Sequence, residues 1–207
     1  MENTRKWAEN HNIVAQLDTS LVPEEFTEMV NFINATSIRY ALTVNPTIYN
    51  SYIKQFWQTA IVKTINGEKQ IKAKVDGQKV LVTESFIRET LLFEDGEGIK
   101  CLANSDIFAG LDALGYEKKN NSLKFQKGLF SSQWKFLLHT LLHCLSPKTS
   151  GWNEFSTVIA SALICLSKGN SFNFSNMILE GMVKSIKESG TYLLYPRFVQ
   201  LFVENQI

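Results

Sequence analysis

Two dipeptides, Asn66-Gly67 and Asp76-Gly77, constrain this chain more than any other feature. Both residues of such a pair tolerate positive φ, which a two-residue hairpin turn of the right twist demands. Around them the apolar period is 2, and this predicts three antiparallel strands near residues 60–65, 69–75 and 79–82. In the middle strand Ile71, Ala73 and Val75 point one way while Gln70, Lys72 and Lys74 point the other. One face of the sheet is therefore packed and the other wet.

Elsewhere the period is helical. Pro23-Glu-Glu opens a helix with proline at the first turn and acids at the positive dipole end, and Phe26, Met29, Val30 and Ile33 form its inner face. After Asn45-Pro46, a wide aromatic stripe of Ile48, Tyr49, Tyr52, Ile53, Phe56 and Trp57 predicts a second helix. Thr83 caps a short helix with Phe86, Ile87 and Leu91 inward. Asn104 or Ser105 caps another that runs to Leu114 and stops at Gly115, followed by a turn-rich link with room for one short strand. Residues 132–145 place Trp134, Leu137, Leu138, Leu141, Leu142 and Leu145 on one face before Ser146-Pro147 breaks the helix. Ser150 is read as the cap of the next, which carries Phe155, Val158, Ile159, Ala162, Cys165 and Leu166 and ends at Lys168-Gly169. Two more follow, over 174–188 and from Pro196 onward. The expected fold is α+β and predominantly helical: a helical lobe (129–207) packed on a lobe (about 21–128) that carries the three-stranded meander. Residues 1–20, polar and without a sustained period, are read as a flexible tail.

Composition narrows the chemistry. With 21 basic and 20 acidic residues the net charge of +1 gives no global pull toward nucleic acid or an acidic membrane, so any such contact is local. The bases are 17 lysines and only four arginines, a poor supply of the bidentate fork that reads guanine. Cys101, Cys144 and Cys165 are odd in number and sit in apolar runs, which reads as reduced, buried thiols in an intracellular protein, cytoplasmic or nuclear. The first dozen residues hold no apolar core of a signal peptide, and no membrane association is expected. Without that signal the Asn-x-Ser/Thr triplets at Asn34, Asn120 and Asn173 carry no glycosylation reading.

Two constellations are candidates for chemistry. His139 and His143, four apart on a helix, present one metal-binding face, but Thr-Leu-Leu between them lacks the glutamate of the His-Glu-x-x-His hydrolases. The alternative is a pair of histidines bordering a leucine face. Lys63, Lys72, Lys74 and Lys79 lie on or beside the strands, where a lysine face meets nucleic-acid phosphates or simply keeps the sheet solvated. No aromatic residue alternates with them on the wet face. The chain has no Gly-x-Ser-x-Gly elbow, no glycine-rich phosphate loop and no thiol in an electropositive turn, so no catalytic residue, cofactor or small-molecule substrate is implied.

Three segments carry a family resemblance: QFWQTAIVKTINGEKQIKAKVDGQKVLVTESFIRETL, FSSQWKFLLHTLLHCLSPKTSGWNEFSTVIASALICLSKGNSFNFSNMILEGMV and YPRFVQLF. Over about residues 26–205 the chain resembles a domain of plant transposon and retrotransposon polyproteins. In that family a Phe-Trp-led helix runs into a hairpin and a helix beginning Thr-Glu. A tryptophan-led helix broken near Ser-Pro and an Asn-Glu-Phe helix rich in small residues come later. The domain lies upstream of, or in place of, a gag-like region and has no established catalytic residues.

The resemblance implies a non-enzymatic, mobile-element-derived domain in particle assembly or nucleic-acid association, with self-association and nucleic acid as its partner classes. A host-retained or relic interaction module is the alternative, and a metal-dependent hydrolase using His139 and His143 a third. The chain carries no zinc knuckle, Tyr-x-Asp-Asp polymerase signature or Asp-Asp-Glu integrase core, and it is expected to be a fragment of a longer polyprotein.

Overall fold

The structure is a computed structural model that describes residues 4–118 and 120–207. In chain order it runs α1 (Thr27–Asn34), α2 (Arg39–Thr43), α3 (Asn50–Thr59), β1 (Ile61–Ile65), β2 (Glu68–Val75), β3 (Gln78–Val82), α4 (Glu84–Leu91) and α5 (Asn104–Ala113). It continues with β4 (Phe125–Gln126), α6 (Ser132–Cys144), β5 (Glu154–Phe155), α7 (Thr157–Lys168), α8 (Phe174–Lys187) and α9 (Pro196–Glu204). This is the expected α+β fold, mainly helical, around a meander in the order β1-β2-β3.

The turns do what their sequence demands. Asn66 and Gly67 take φ of 53° and 80°, and Asp76 and Gly77 take 49° and 76°, so both central residues of each turn are left-handed. That fixes the register, with Ile65 opposite Glu68 and Val75 opposite Gln78. Ile71, Ala73, Val75, Val80 and Val82 are buried beneath the sheet, against α3 and α9. The Thr83 hydroxyl accepts the Phe86 N–H at 3.1 Å and starts α4 as expected. The two lobes share one core: Phe202 of α9 lies against Phe86 of α4, with ring centroids 5.6 Å apart.

Several local expectations need correcting. Tyr49 precedes α3 instead of joining its buried stripe, and it is exposed. Neither Asn104 nor Ser105 caps α5, whose N-cap is Ala103 without a side-chain bond. Ser150 caps nothing helical, because Phe155 pairs with Phe125 across the β4–β5 ladder in a cluster with Tyr116 and Phe130. The helix instead begins at Ser156, whose hydroxyl accepts the Ile159 N–H. Of the cysteines, Cys144 and Cys165 are buried but Cys101 is exposed.

The largest correction concerns the N-terminal segment. Residues 5–17 are not a frayed tail but a strap bound along the body of the fold. Arg5 donates to Ser185 Oγ and to the carbonyls of Tyr192 and Ser185, and its guanidinium stacks 4.6 Å over Trp57. Lys6 bridges to the 191–193 segment, Ile13 N donates to His143 O, and Ala15 N donates to Leu42 O. Arg197, 4% exposed, closes the strap by donating to five carbonyls, those of Asn12, Ile13, Ala41, Val44 and Cys144, at 2.6–3.3 Å. Burial lowers its pKa to about 10, which still leaves it charged at neutral pH.

His11 is buried beside it. Its Nε2 accepts the Tyr195 N–H at 2.8 Å, so the ring proton sits on Nδ1 and is donated to Lys148 O at 3.0 Å. A second proton would displace the Tyr195 bond. Burial, assisted by the Arg197 charge, lowers the His11 pKa to about 4.

A second polar assembly joins α4 to α8. Arg88 donates to Glu84 at 2.7 Å and to Asp95 at 2.6 Å, and buried Asp95 also accepts the N–H and hydroxyl of Ser175 at the start of α8. Asn173, the residue of the third Asn-x-Ser triplet, is 2% exposed, caps α8 through Asn176 N and donates to Glu84.

Two outcomes follow for stability. Replacing Arg197 with Met takes the donor from five carbonyls, of which Cys144 O keeps Asn12 Nδ2, and should cost about 3 kcal/mol in urea unfolding. Arg197→Lys should restore only part of this, since an ammonium lacks the planar fork. Undiminished stability in Arg197→Met would show that the strap is not held this way. Between pH 4 and 6.5 the unfolded chain binds a proton at His11 that the folded chain refuses, so stability rises with pH across that window. His11 alone should remove up to about 3 kcal/mol as pH falls from 6.5 to 4. His11→Gln should make that pH dependence shallower by the His11 share, leaving what His139 and His143 contribute with the same sign, and an unchanged slope would assign the effect elsewhere.

Candidate nucleic-acid interface

The hairpin turns bring the four predicted lysines onto one surface. In antiparallel pairing, residues directly opposite share a face. Lys63 faces Gln70, Ile61 faces Lys72, Lys72 faces Leu81, and Lys74 faces Lys79. Lys63, Lys72, Lys74 and Lys79 therefore all stand on the side of the meander opposite its buried face, and no helix of the described residues covers them. Lys63, Lys74 and Lys79 are exposed and Lys72 is half-buried.

Among the described residues none of the four has a carboxylate partner. The ion pairs among the described residues are Lys69–Glu180, Arg88–Glu84 and Arg88–Asp95, all outside this face. Glu68 lies at the far end of β2 facing Ile65, and Asp76, in the β2–β3 turn next to the Lys74–Lys79 pair, bonds to Gln55. Lys74 and Lys79 instead confront each other, an arrangement that costs stability unless an anion lies between them.

The face also holds apolar residues that the lysine pattern alone did not reveal. Ile61, Ile65 and Leu81 are 51%, 43% and 40% exposed and alternate with the lysines. The signal was present: β1 reads Ile-Val-Lys-Thr-Ile, ambiguous by composition, but the Asn66-Gly67 turn places Ile61 opposite Lys72 and so on the wet side. Around Ile61 and Leu81 lies a shallow concavity of about 420 Å³, rimmed by Lys63, Lys72, Lys74, Lys79 and Thr59. Both edges of its floor are pinned. Gln206 donates to Leu81 O and accepts from Leu81 N, and Thr59 Oγ1 exchanges the same pair of bonds with Lys74.

The histidine pair forms a different kind of place. The rings of His139 and His143 lie 4.2 Å apart, and His143, buried, stacks on Trp152 at 4.0 Å and bonds through Nδ1 to Asn10 O at 2.7 Å. His143 is thus part of the seat of the strap. Burial, then the neighbouring His143 and Lys127, lowers the His139 pKa to about 4, and burial also lowers that of His143. Among the described residues no third His, Cys, Asp or Glu joins them, so the pair stands short of the three protein ligands of a catalytic zinc site. Cys144, next in sequence, is no nucleophile: burial pushes its thiol up to about 12, the opposite of what a reactive thiolate needs.

No protein-family model, curated protein or solved structure matches this chain. Among the described residues no helix is long and apolar enough to cross a membrane.

If Lys74 and Lys79 repel across the ladder, Lys74→Gln should stabilise the domain by a few tenths of a kcal/mol at low salt, with the gain fading as salt screens the pair. A loss of stability in chemical denaturation would mean that Lys74 serves the fold.

Proposed function

We propose that this chain is a non-enzymatic, mobile-element-derived domain that associates with nucleic acid through the open face of its meander. The observation that carries the reading is the set of four lysines held side by side by two hairpin turns, free of carboxylate partners, with Lys74 set against Lys79 at a cost that a phosphate would repay. The resemblance to plant transposon and retrotransposon polyproteins supplies the context. A domain in such a polyprotein acts where nucleic acid is packaged or moved, in the cytoplasm or nucleus. A net charge of +1 makes the contact a local one, weaker than that of a strongly basic binder and sensitive to salt.

Each lysine–phosphate contact releases condensed counterions, at a log-log slope of about −0.7 to −0.9 per contact. Four contacts give a slope near −3, on the order of a 50-fold loss of affinity between 50 and 200 mM salt. Fluorescence anisotropy with a labelled oligonucleotide should show this slope. Lys72→Gln with Lys74→Gln should weaken binding to every sequence alike and flatten the slope by roughly two contacts, leaving the core of Ile71, Ala73 and Val75 intact. No binding at 50 mM salt, or a double variant that binds unchanged, overturns the reading. Light scattering on the same samples tests particle assembly, which would appear as multimers that grow with concentration or on adding nucleic acid.

A further inference from the structure

Resting on the lysine-face reading above, we infer that the ligand class is single-stranded nucleic acid, bound with little regard to sequence, its bases lying on Ile61 and Leu81 while its phosphates meet the lysines. A face that only tracks the phosphates of a duplex needs no apolar surface, because a duplex keeps the faces of its bases stacked inside. Here the central lysine, Lys72, has Ile61 opposite it on β1 and Leu81 opposite it on β3. Both apolar side chains are about half exposed and form the floor of the concavity. Its volume of about 420 Å³ falls within the range of small-ligand sites, roughly 300–1,000 Å³, which is a scale for unstacked nucleotides and not for a stacked duplex. Unpaired bases present apolar faces that can cover such a floor, while the backbone follows the charged rim.

The arginines explain the lack of sequence preference. Reading guanine takes a free guanidinium fork, and the three strands of this face carry no arginine. Arg5 is bound to Ser185 and Tyr192, Arg88 to Glu84 and Asp95, and Arg197 to five carbonyls, while exposed Arg39 lies on α2 and bonds to Asn34 through Nε alone. The face offers lysine alone, a point charge that binds phosphate without identifying a base. Its floor is aliphatic, so each base gains less than it would on an aromatic platform. Leu81 is well placed to be altered, since Gln206 holds its backbone on both sides.

The test compares a 20-nucleotide oligothymidylate and oligouridylate, a 20-base-pair duplex, and inorganic polyphosphate, which has the charge without bases, all at 50 mM salt. The single strands should bind about tenfold tighter than the duplex or the polyphosphate. Ile61→Ser with Leu81→Ser should cost the single strands roughly twentyfold and leave polyphosphate unchanged. Leu81→Tyr, which adds an aromatic to the floor without removing charge, should tighten single-strand binding several-fold with the duplex unaffected. Equal affinity for all four probes, or floor variants that move them all alike or not at all, overturns the single-strand inference and leaves the lysine-face reading standing. Failure of every probe to bind removes the lysine-face reading itself, and the inference with it.

Discussion

The fold depends on one buried cation without a counter-anion. Arg197 sits at the start of α9, where five peptide carbonyls from the strap, α2 and the end of α6 converge on its guanidinium. Carbonyl dipoles replace the water that burial strips away, and the planar fork lets one side chain satisfy acceptors from three separate stretches of chain. The carbonyls of Asn12, Ala41 and Cys144 meet it in buried bonds, where an acceptor needs a protein partner. Tyr195, Asn12 and His11 are arranged around this centre: Asn12 Oδ1 accepts Arg197 N–H, Asn12 Nδ2 donates to Cys144 O, and the Tyr195 hydroxyl donates to Leu145 O. Because α9 also packs beneath the sheet, the same helix that anchors the strap supports the underside of the lysine face.

The second polar clip works differently. Arg88 is paired with two carboxylates, and Asp95 receives Ser175 N–H at the positive end of α8, so charge neutralisation and the helix dipole act together. It fixes α4 against α8 and sets the far side of the sheet, where Lys69 of β2 reaches Glu180 of α8 at 2.9 Å. The meander is thus held from below by apolar packing and from the side by the Lys69–Glu180 ion pair, and among the described elements none covers its outer face.

What could be read from the sequence was local. Asn-Gly and Asp-Gly turns dictate backbone geometry from within two residues, and alternation reports burial directly, so the strands, the Thr83 cap, the Pro196 start and the lysine face were all legible. Phe155 was misassigned because helical spacing continues through it, whereas its partner Phe125 lies some thirty residues away in the chain and the ladder between them is only two residues long. The strap was illegible for a related reason. It buries few apolar groups, and its hold comes from polar side chains that meet backbone atoms, so no periodicity marks it. The exposed Ile61 and Leu81 needed the register and not the composition, since a strand that is apolar on both sides reveals its faces only once its partner is aligned.

The strap also sets the order in which the molecule can be completed. The bond between Asn12 and Arg197 spans 185 residues. At ribosomal speeds of about 5–20 residues per second, some 10–40 s separate the synthesis of its two ends. The meander can pair as soon as it emerges, since its contacts are local. The strap cannot close on Arg197 until α9 exists, so a segment made well before α9 is among the last to find its place. Through that interval the Asn12 and Ile13 carbonyls wait for the guanidinium that will hold them.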